Sequence, residues 1–239
     1  MDSLWFNFVQ WLHTLGLHVD SDAARAVGNA AAQASAQLDM PSLMALAAAL
    51  GWASGFRLYA VVFLIGMMGA LGWMPMPPGL VVLQSPMVLL VSGCMLFAEF
   101  VADKIPWVDS AWDAAHALIR VPAGAALAFG VFGADNAALA IVAGLLGGSL
   151  SATALATKMT TRAAANTSPE PFSNWGLSLL EDGLVVAVVW LATQHPVAFG
   201  IALFVMVVLS VLLLVVLFQF LCAVLRRVSR FFSGSAGAA

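Results

Sequence analysis

Glu99, Asp103, Asp109, Asp113 and His116 fall within one short stretch, EFVADKIPWVDSAWDAAHALIR (residues 99–120). Glu99 and Asp103 are four apart, as are Asp109 and Asp113, so each pair shares a face wherever the stretch is helical. Two carboxylates and an imidazole at such spacings could converge on a divalent cation. Lys104 and Arg120 are interleaved with them, and cations inside a cation site are unfavourable unless they are paired elsewhere. The same residue types also read as an ion-pair network. Arg57, Lys104, Arg120, Lys158 and Arg162 offer five positive charges against six acids, Glu99, Asp103, Asp109, Asp113, Glu181 and Asp182.

These charges are conspicuous because the chain has so few. It is 62% hydrophobic and 9% charged, with a mean hydropathy of +0.99, whereas an ordinary globular domain carries about 25% charged residues. A bilayer is the economical host for such a chain. A lone charge at the centre of a membrane span costs about 2.5–3.5 kcal/mol on insertion scales, so the charged side chains are expected to face one another or water. Arg57 and Glu181 are the sharpest cases, since both fall inside apolar runs. Asp103, Asp109 and Asp113 read equally well as fasteners of helices and loops at the cytoplasmic surface. Cys94 and Cys222 each sit in an apolar run and read as packing residues.

The apolar runs, each about 20 residues or more, give the organisation. Residues 4–15 have a helical apolar face too short to span and read as an interfacial helix, followed by a polar connector, so that 1–40 stands apart. Asp39 and Pro41 mark a helix start. A continuous helix over 41–72 would be roughly 48 Å long, far beyond the hydrocarbon thickness of about 30 Å, and GWASGFR (51–57) is the expected break. Further spans are expected at about 81 or 85–101, 114–133, 137–157 with an interruption at GGSLSAT, 175–193 and 197–225. A basic tail occupies 226–239. Trp52, Trp73, Trp107, Trp112 and Trp175 near breaks and span ends read as interfacial anchors.

The halves 41–133 and 137–225 share an order of features. LAAALGWASG (46–55) resembles VAGLLGGSLS (142–151), Ser85-Pro86 leads to Glu99 as Ser168-Pro169 leads to Glu181, and RVPAGAALAF (120–129) resembles QHPVAFGIALF (194–204). Three spans per half make the repeat an inverted one, as in many secondary transporters. The expected fold is therefore an all-α integral membrane protein of about six helices in two inverted three-helix repeats, with interrupted first and fourth helices.

GWASGFRLYA, EFVADKIPWVDSAWD with the following Arg120-Val-Pro-Ala-Gly, and the late Lys158, Arg162 and Glu181-Asp182 resemble the bacterial membrane-protein family catalogued as domain of unknown function 4126, over roughly residues 43–195. The resemblance implies a multi-spanning inner-membrane protein and carries no established activity.

No nucleophile–base pair, glycine-rich nucleotide loop or CxxC is present, and the four histidines are scattered. The reading is a transporter or permease for a small solute, ion or lipid-phosphate headgroup. It needs no cofactor, and its partners are the bilayer and such a solute rather than nucleic acid. Arg57, Glu99, Asp103, Lys104, Arg120, Lys158, Arg162, Glu181 and Asp182 form its polar pathway. Two rivals are a scaffold docking a cytoplasmic partner and a metal-dependent enzyme acting on lipid phosphates. With both termini cytoplasmic, Lys104, Lys158, Arg162, Arg226, Arg227 and Arg230 all fall inside and the outer loops hold no Lys or Arg. A reporter fused at Ala239 is expected to be cytoplasmic, and a periplasmic signal would reverse this topology.

Overall fold

The computed structural model describes residues 38–105, 107–133, 136–167 and 171–234. The expected interfacial helix and connector over 1–37 lie outside the described residues. Among the latter the chain is helical without a strand: α1 (Met40–Ala70), a 3-10 segment (Pro78–Gln84), α2 (Pro86–Ala102), α3 (Val108–Phe132), α4 (Ala137–Ala165), α5 (Pro171–Gln194) and α6 (Pro196–Gly234). Five of them, all but α2, are long and apolar enough to cross a bilayer. The 3-10 segment and α2, bent by 71°, make a sixth when taken together. The expected all-α, multi-span architecture is met. α6 continues into the expected tail, where the Arg226 guanidinium donates to the Cys222 carbonyl.

Local sequence sets the helix starts. The Asp39 carboxylate accepts from the Ser42 amide at 3.2 Å, and the Ser85 hydroxyl accepts from the Val88 amide at 3.3 Å. Each is followed by a proline in the first turn, where its missing N–H is harmless.

α1 breaks where expected, but the break reverses the chain rather than tilting it. Arg57 leaves helical geometry, with φ −144° and ψ 77°. Before it, Gly51 packs on Gly147 and Gly55 on Ser151 and Leu155, so residues 40–56 run parallel to α4. After it, Phe63 packs on Gly93 and Gly66 on Leu83 and Leu89, so residues 58–70 run antiparallel to α2. The last turns of α2 and α4 meet, since Arg162 donates to the Asp103 carbonyl at 2.9 Å. α1 therefore advances to that end of the bundle and returns, in two halves of about 25 and 20 Å, as a re-entrant hairpin with Arg57 at its tip.

Met40 and Ala70 consequently lie together at the end remote from Asp103. α6 runs the other way. Its Leu203 shares a cavity with Met44 and Phe132, its Ser210 and Leu213 one with Lys158 and Thr161, and Arg226 follows beyond. Among the described residues five helices, or six elements with the bent pair, are long and apolar enough to cross, and because α1 doubles back, Met40 and Arg226 lie at opposite ends.

The fourth helix is not interrupted. α4 is continuous through GGSLSAT, because its small residues serve close packing instead of breakage. A Cβ on Gly147 would lie 2.3 Å from the Ala128 Cβ, and one on Gly51 would lie 2.4 Å from the Gly147 Cα. The hydroxyls of Ser149 and Thr153 donate to carbonyls four residues back, which leaves the helix intact. The matched segments 46–55 and 142–151 run parallel, whereas a twofold axis in the membrane plane relates antiparallel helices. That match reflects their shared crossing.

α1 is the buried centre and α6 the periphery: 72% of the most apolar stretch of α1 is enclosed against 6% of that of α6. Trp52, expected at an interface, is instead in the core, tilted against Phe56 with ring centres 4.7 Å apart. Cys94, expected to pack inside, is exposed on α2. Met87, Leu118, Phe204 and Phe218 are likewise exposed, which costs nothing in contact with acyl chains.

In a chain with both native cysteines replaced, Asp39→Cys and Trp73→Cys are expected to react with an impermeant maleimide from one face of the membrane, and Ile105→Cys from the other. Labelling of positions 39 and 73 from opposite faces would restore a crossing α1.

Candidate functional site

Six acids and four cations converge where the tip of α1 meets α2, α3, α4 and α5. Each helix delivers its charges by simple periodicity. α2 ends on Glu99 and Asp103, one turn apart, with Asp103 as its C-cap. α3 presents Asp109, Asp113 and Arg120 on one buried face. α4 presents Lys158 and Arg162, again one turn apart. Glu181 and Asp182 come from α5, and the break in α1 sends in Arg57.

The contacts form two lobes joined by Lys158. In the first, Arg120 grips Glu99 through Nη2 at 2.5 Å and Asp113 through Nη1 at 2.7 Å. In the second, Arg57 Nη1 lies 2.6 Å from Asp103 Oδ2 and Nε lies 3.1 Å from Asp182 Oδ1, while Nη2 donates to the Ser178 hydroxyl at 2.9 Å. Arg162 donates to both oxygens of Glu181, from Nε at 3.2 Å and Nη2 at 2.9 Å. Lys158 Nζ stands 3.1 Å from Asp113, 3.5 Å from Glu181 and 3.6 Å from both Glu99 and Asp103. It also donates to the Phe56 carbonyl at 3.1 Å, at the buried C-terminal end of the first half of α1, where a cation meets the negative end of the helix dipole.

Of the nine residues expected in a polar pathway, eight meet in this network. Lys104 does not. Its ammonium sits 3.0 Å from the centre of the Phe100 ring and donates to the Phe100 carbonyl. Partial burial lowers its pKa, opposed by the charge of Asp182. The balance is therefore four cations to six acids rather than five to six.

Asp109 and Asp113, read from sequence as possible surface fasteners, are fully buried. The stretch after Trp107 is the first turns of α3 and not a loop, and the spacing 109, 113, 120 marks its buried face. Sequence reasoning missed Ser178, Asn166 and Asn174. Asn166 donates to both oxygens of Asp109, and Asn174 donates to Asn166 at 2.6 Å. Their only signal was polarity near the ends of apolar runs.

The convergence of Asp113 and His116 that a cation site would need does not occur. His116 stacks on Trp112, with ring centres 4.3 Å apart, and bonds to the Trp112 carbonyl, while Asp113 turns to Arg120 and Lys158. Among the described residues no three His, Cys, Asp or Glu side chains form a group that could hold a metal ion, because a guanidinium or ammonium stands between the acids.

Glu99 Oε2, Asp103 Oδ1 and Asp113 Oδ2 are buried without a hydrogen-bond partner. Unpaired carboxylate oxygens out of water are costly, and a proton would discharge that cost and reduce the excess of acid. Removing one partner of a buried pair typically costs about 3–5 kcal/mol. Arg120→Met is accordingly expected to lower the thermal midpoint of the purified protein sharply, whereas Lys104→Met changes stability by no more than about 0.5 kcal/mol. Equal effects in a detergent melting assay would place Lys104 inside the network.

No curated protein and no solved structure gives a match to this chain. A family model does, over residues 44–216, from the first turns of α1 well into α6 and across every helix that contributes a charge. The chain is a member of the membrane-protein family described as domain of unknown function DUF4126.

Proposed function

We propose that this protein is an inner-membrane transporter or permease for a small solute, ion or lipid-phosphate headgroup, and that the buried network is its coupling site. The observation that carries the reading is the reversal of α1 at Arg57, which drives the tip of a broken helix into a sealed cluster of ionisable groups. Broken helices within a bundle leave backbone dipoles free to meet charge, the arrangement that secondary transporters use at their binding sites. A structural staple needs neither the break nor an excess of acid.

The charged end faces the cytoplasm in this reading, with Lys104 and Arg226 following the positive-inside rule and the two ends of the α1 hairpin on the opposite side. Glu99 and Glu181, matched between the halves, lie on α2 and α5. Both approach Lys158, at 3.6 and 3.5 Å, and α2 and α5 run antiparallel, which supports an inverted relation for these two helices. Protonation of either glutamate releases its share of Lys158 to the other. The α1 tip is tied to this exchange through the Phe56 carbonyl on Lys158 and through Arg57 beside Glu181.

Proteoliposomes holding the protein and a trapped pH-sensitive dye are expected to pass protons under an imposed potential faster than empty vesicles. Arg57→Ala and Glu181→Gln variants that insert and remain monodisperse should lose this flux by about ten-fold or more, the equivalent of about 1.4 kcal/mol on the barrier. Unchanged flux in both variants would sink the assignment.

A further inference from the structure

Nine of the ten charged side chains in the network are at most 4% exposed. The tenth, Asp182, is 29% exposed. A sealed set of acids and cations neither gains nor loses a proton unless one member reaches water. Asp182 is the member that leads out of this one.

The opening lies between α2 and α5, which pack on α1 and not along each other. Leu179 and Gly183, beside Asp182 on α5, are exposed. One guanidinium, that of Arg57, reaches both Asp182 and Asp103, the C-cap of α2. Asp182 therefore stands at the level where α2 ends and the exposed Ile105 and Trp107 follow. That is an interfacial level, where a carboxylate meets water and escapes the cost of facing acyl chains. Lys104 is held beside the opening. The Trp175 indole, two turns before Asp182 on α5, donates to the Lys104 carbonyl at 3.2 Å and ties the end of α2 to α5. Among all charges Asp182 acts on Lys104 most strongly, yet the ammonium rests on Phe100 and touches no carboxylate among the described residues.

We propose that Asp182 is the port through which the network exchanges protons with water, and that Lys104 is the charge that guards it. The charged groups around the port are Arg57 of α1, Asp103 and Lys104 at the end of α2, Lys158 of α4 and, next to it on α5, Glu181. A proton from water that settles on Asp182 cancels the charge facing Arg57 Nε at 3.1 Å. The guanidinium is then left to Asp103 and to Glu181, 3.7 Å from the same Nε. Return of the proton to water restores the pair. Occupancy of the port is thereby felt at the residue where α1 reverses. Lys104 opposes uptake, because a cation beside a carboxyl favours its ionised form, and a cation outside the network so acquires a part in its use. The port deepens the coupling role proposed above and rests on that reading for its purpose.

The test is carbodiimide labelling of the full chain in proteoliposomes, since these reagents capture a carboxyl group that has taken up a proton. A water-soluble carbodiimide with glycinamide, at mildly acidic pH, is expected to convert Asp182 to its amide and to spare the other five acids of the network, as read by peptide mass spectrometry. Lys104→Met should increase labelling of Asp182 several-fold at the same pH. Labelling of a sealed acid in preference to Asp182, or labelling of Asp182 only by the lipid-soluble dicyclohexylcarbodiimide, would overturn the port. Labelling indifferent to Lys104→Met would overturn the guard. In the proton-flux assay, Asp182→Asn should slow transport by about ten-fold or more, the scale of a lost proton-transfer group, and Asp182→Glu should restore it. Selective labelling of Asp182 in a protein that passes no protons would remove the transport reading and leave the port standing. Full flux in Asp182→Asn would do the reverse.

Discussion

Lys158 is the charge on which the network depends. It is fully buried and lies within 3.6 Å of carboxylates from α2, α3 and α5, and its remaining donor capacity goes to the carbonyl of Phe56 on α1. An ammonium sealed from water needs opposite charge and hydrogen-bond acceptors to stay ionised, and here these come from four different helices. The demand works in both directions, since each of those carboxylates also needs a cation. The helices are thereby held in one register at the charged end, while the rest of their surface is free to be lipid-soluble.

That constraint explains why α1 turns where it does. A helix that crossed straight through would carry Arg57 to mid-membrane with no acid beside it, at the insertion cost of a lone cation. Reversal at Arg57 instead delivers the guanidinium to Asp103, Asp182 and Ser178. The turn also ends the first half of α1 in free carbonyls, one of which meets Lys158. Small residues make the reversal possible sterically: Gly51 lies against Gly147, and Gly124 of α3 lies against Ser54 and Ser151, so three helices approach to backbone contact around the hairpin. Glycine and serine in these segments therefore set interhelical distance, a use that in sequence looks the same as a helix break.

This ambiguity marks how far the sequence could be read. The apolar runs, the Asp39 and Ser85 starts and the membership of eight charged residues in one network were legible, because hydrophobic length and the cost of an unpaired charge act locally or pairwise. The direction of the chain after Arg57 was not, since reversal and tilt satisfy the same hydropathy profile. GGSLSAT was misread as a break because its close neighbours, Ala128 and Gly51, are far away in sequence. Asp109 and Asp113 were undervalued for a related reason: Asp109 is met by Arg162 and Asn166 and Asp113 by Lys158 as well as Arg120, and the partners on α4 are far from residues 99–120 in sequence. Lys104 was overvalued by the same pairwise logic, its neighbour Phe100 providing a local alternative to the network.

The polar atoms of the network are not all satisfied. A staple is most stable when every buried polar atom is paired, yet the first lobe leaves one oxygen each of Glu99 and Asp113 without a hydrogen-bond partner, and Asp103 likewise keeps one in the second. Both lobes share the Lys158 ammonium, which is bonded to the Phe56 carbonyl at the α1 tip. In the coupling role proposed above, a proton on Glu99 or Asp113 weakens the hold of the first lobe on that ammonium, so the exchange passes to the α1 tip through one side chain.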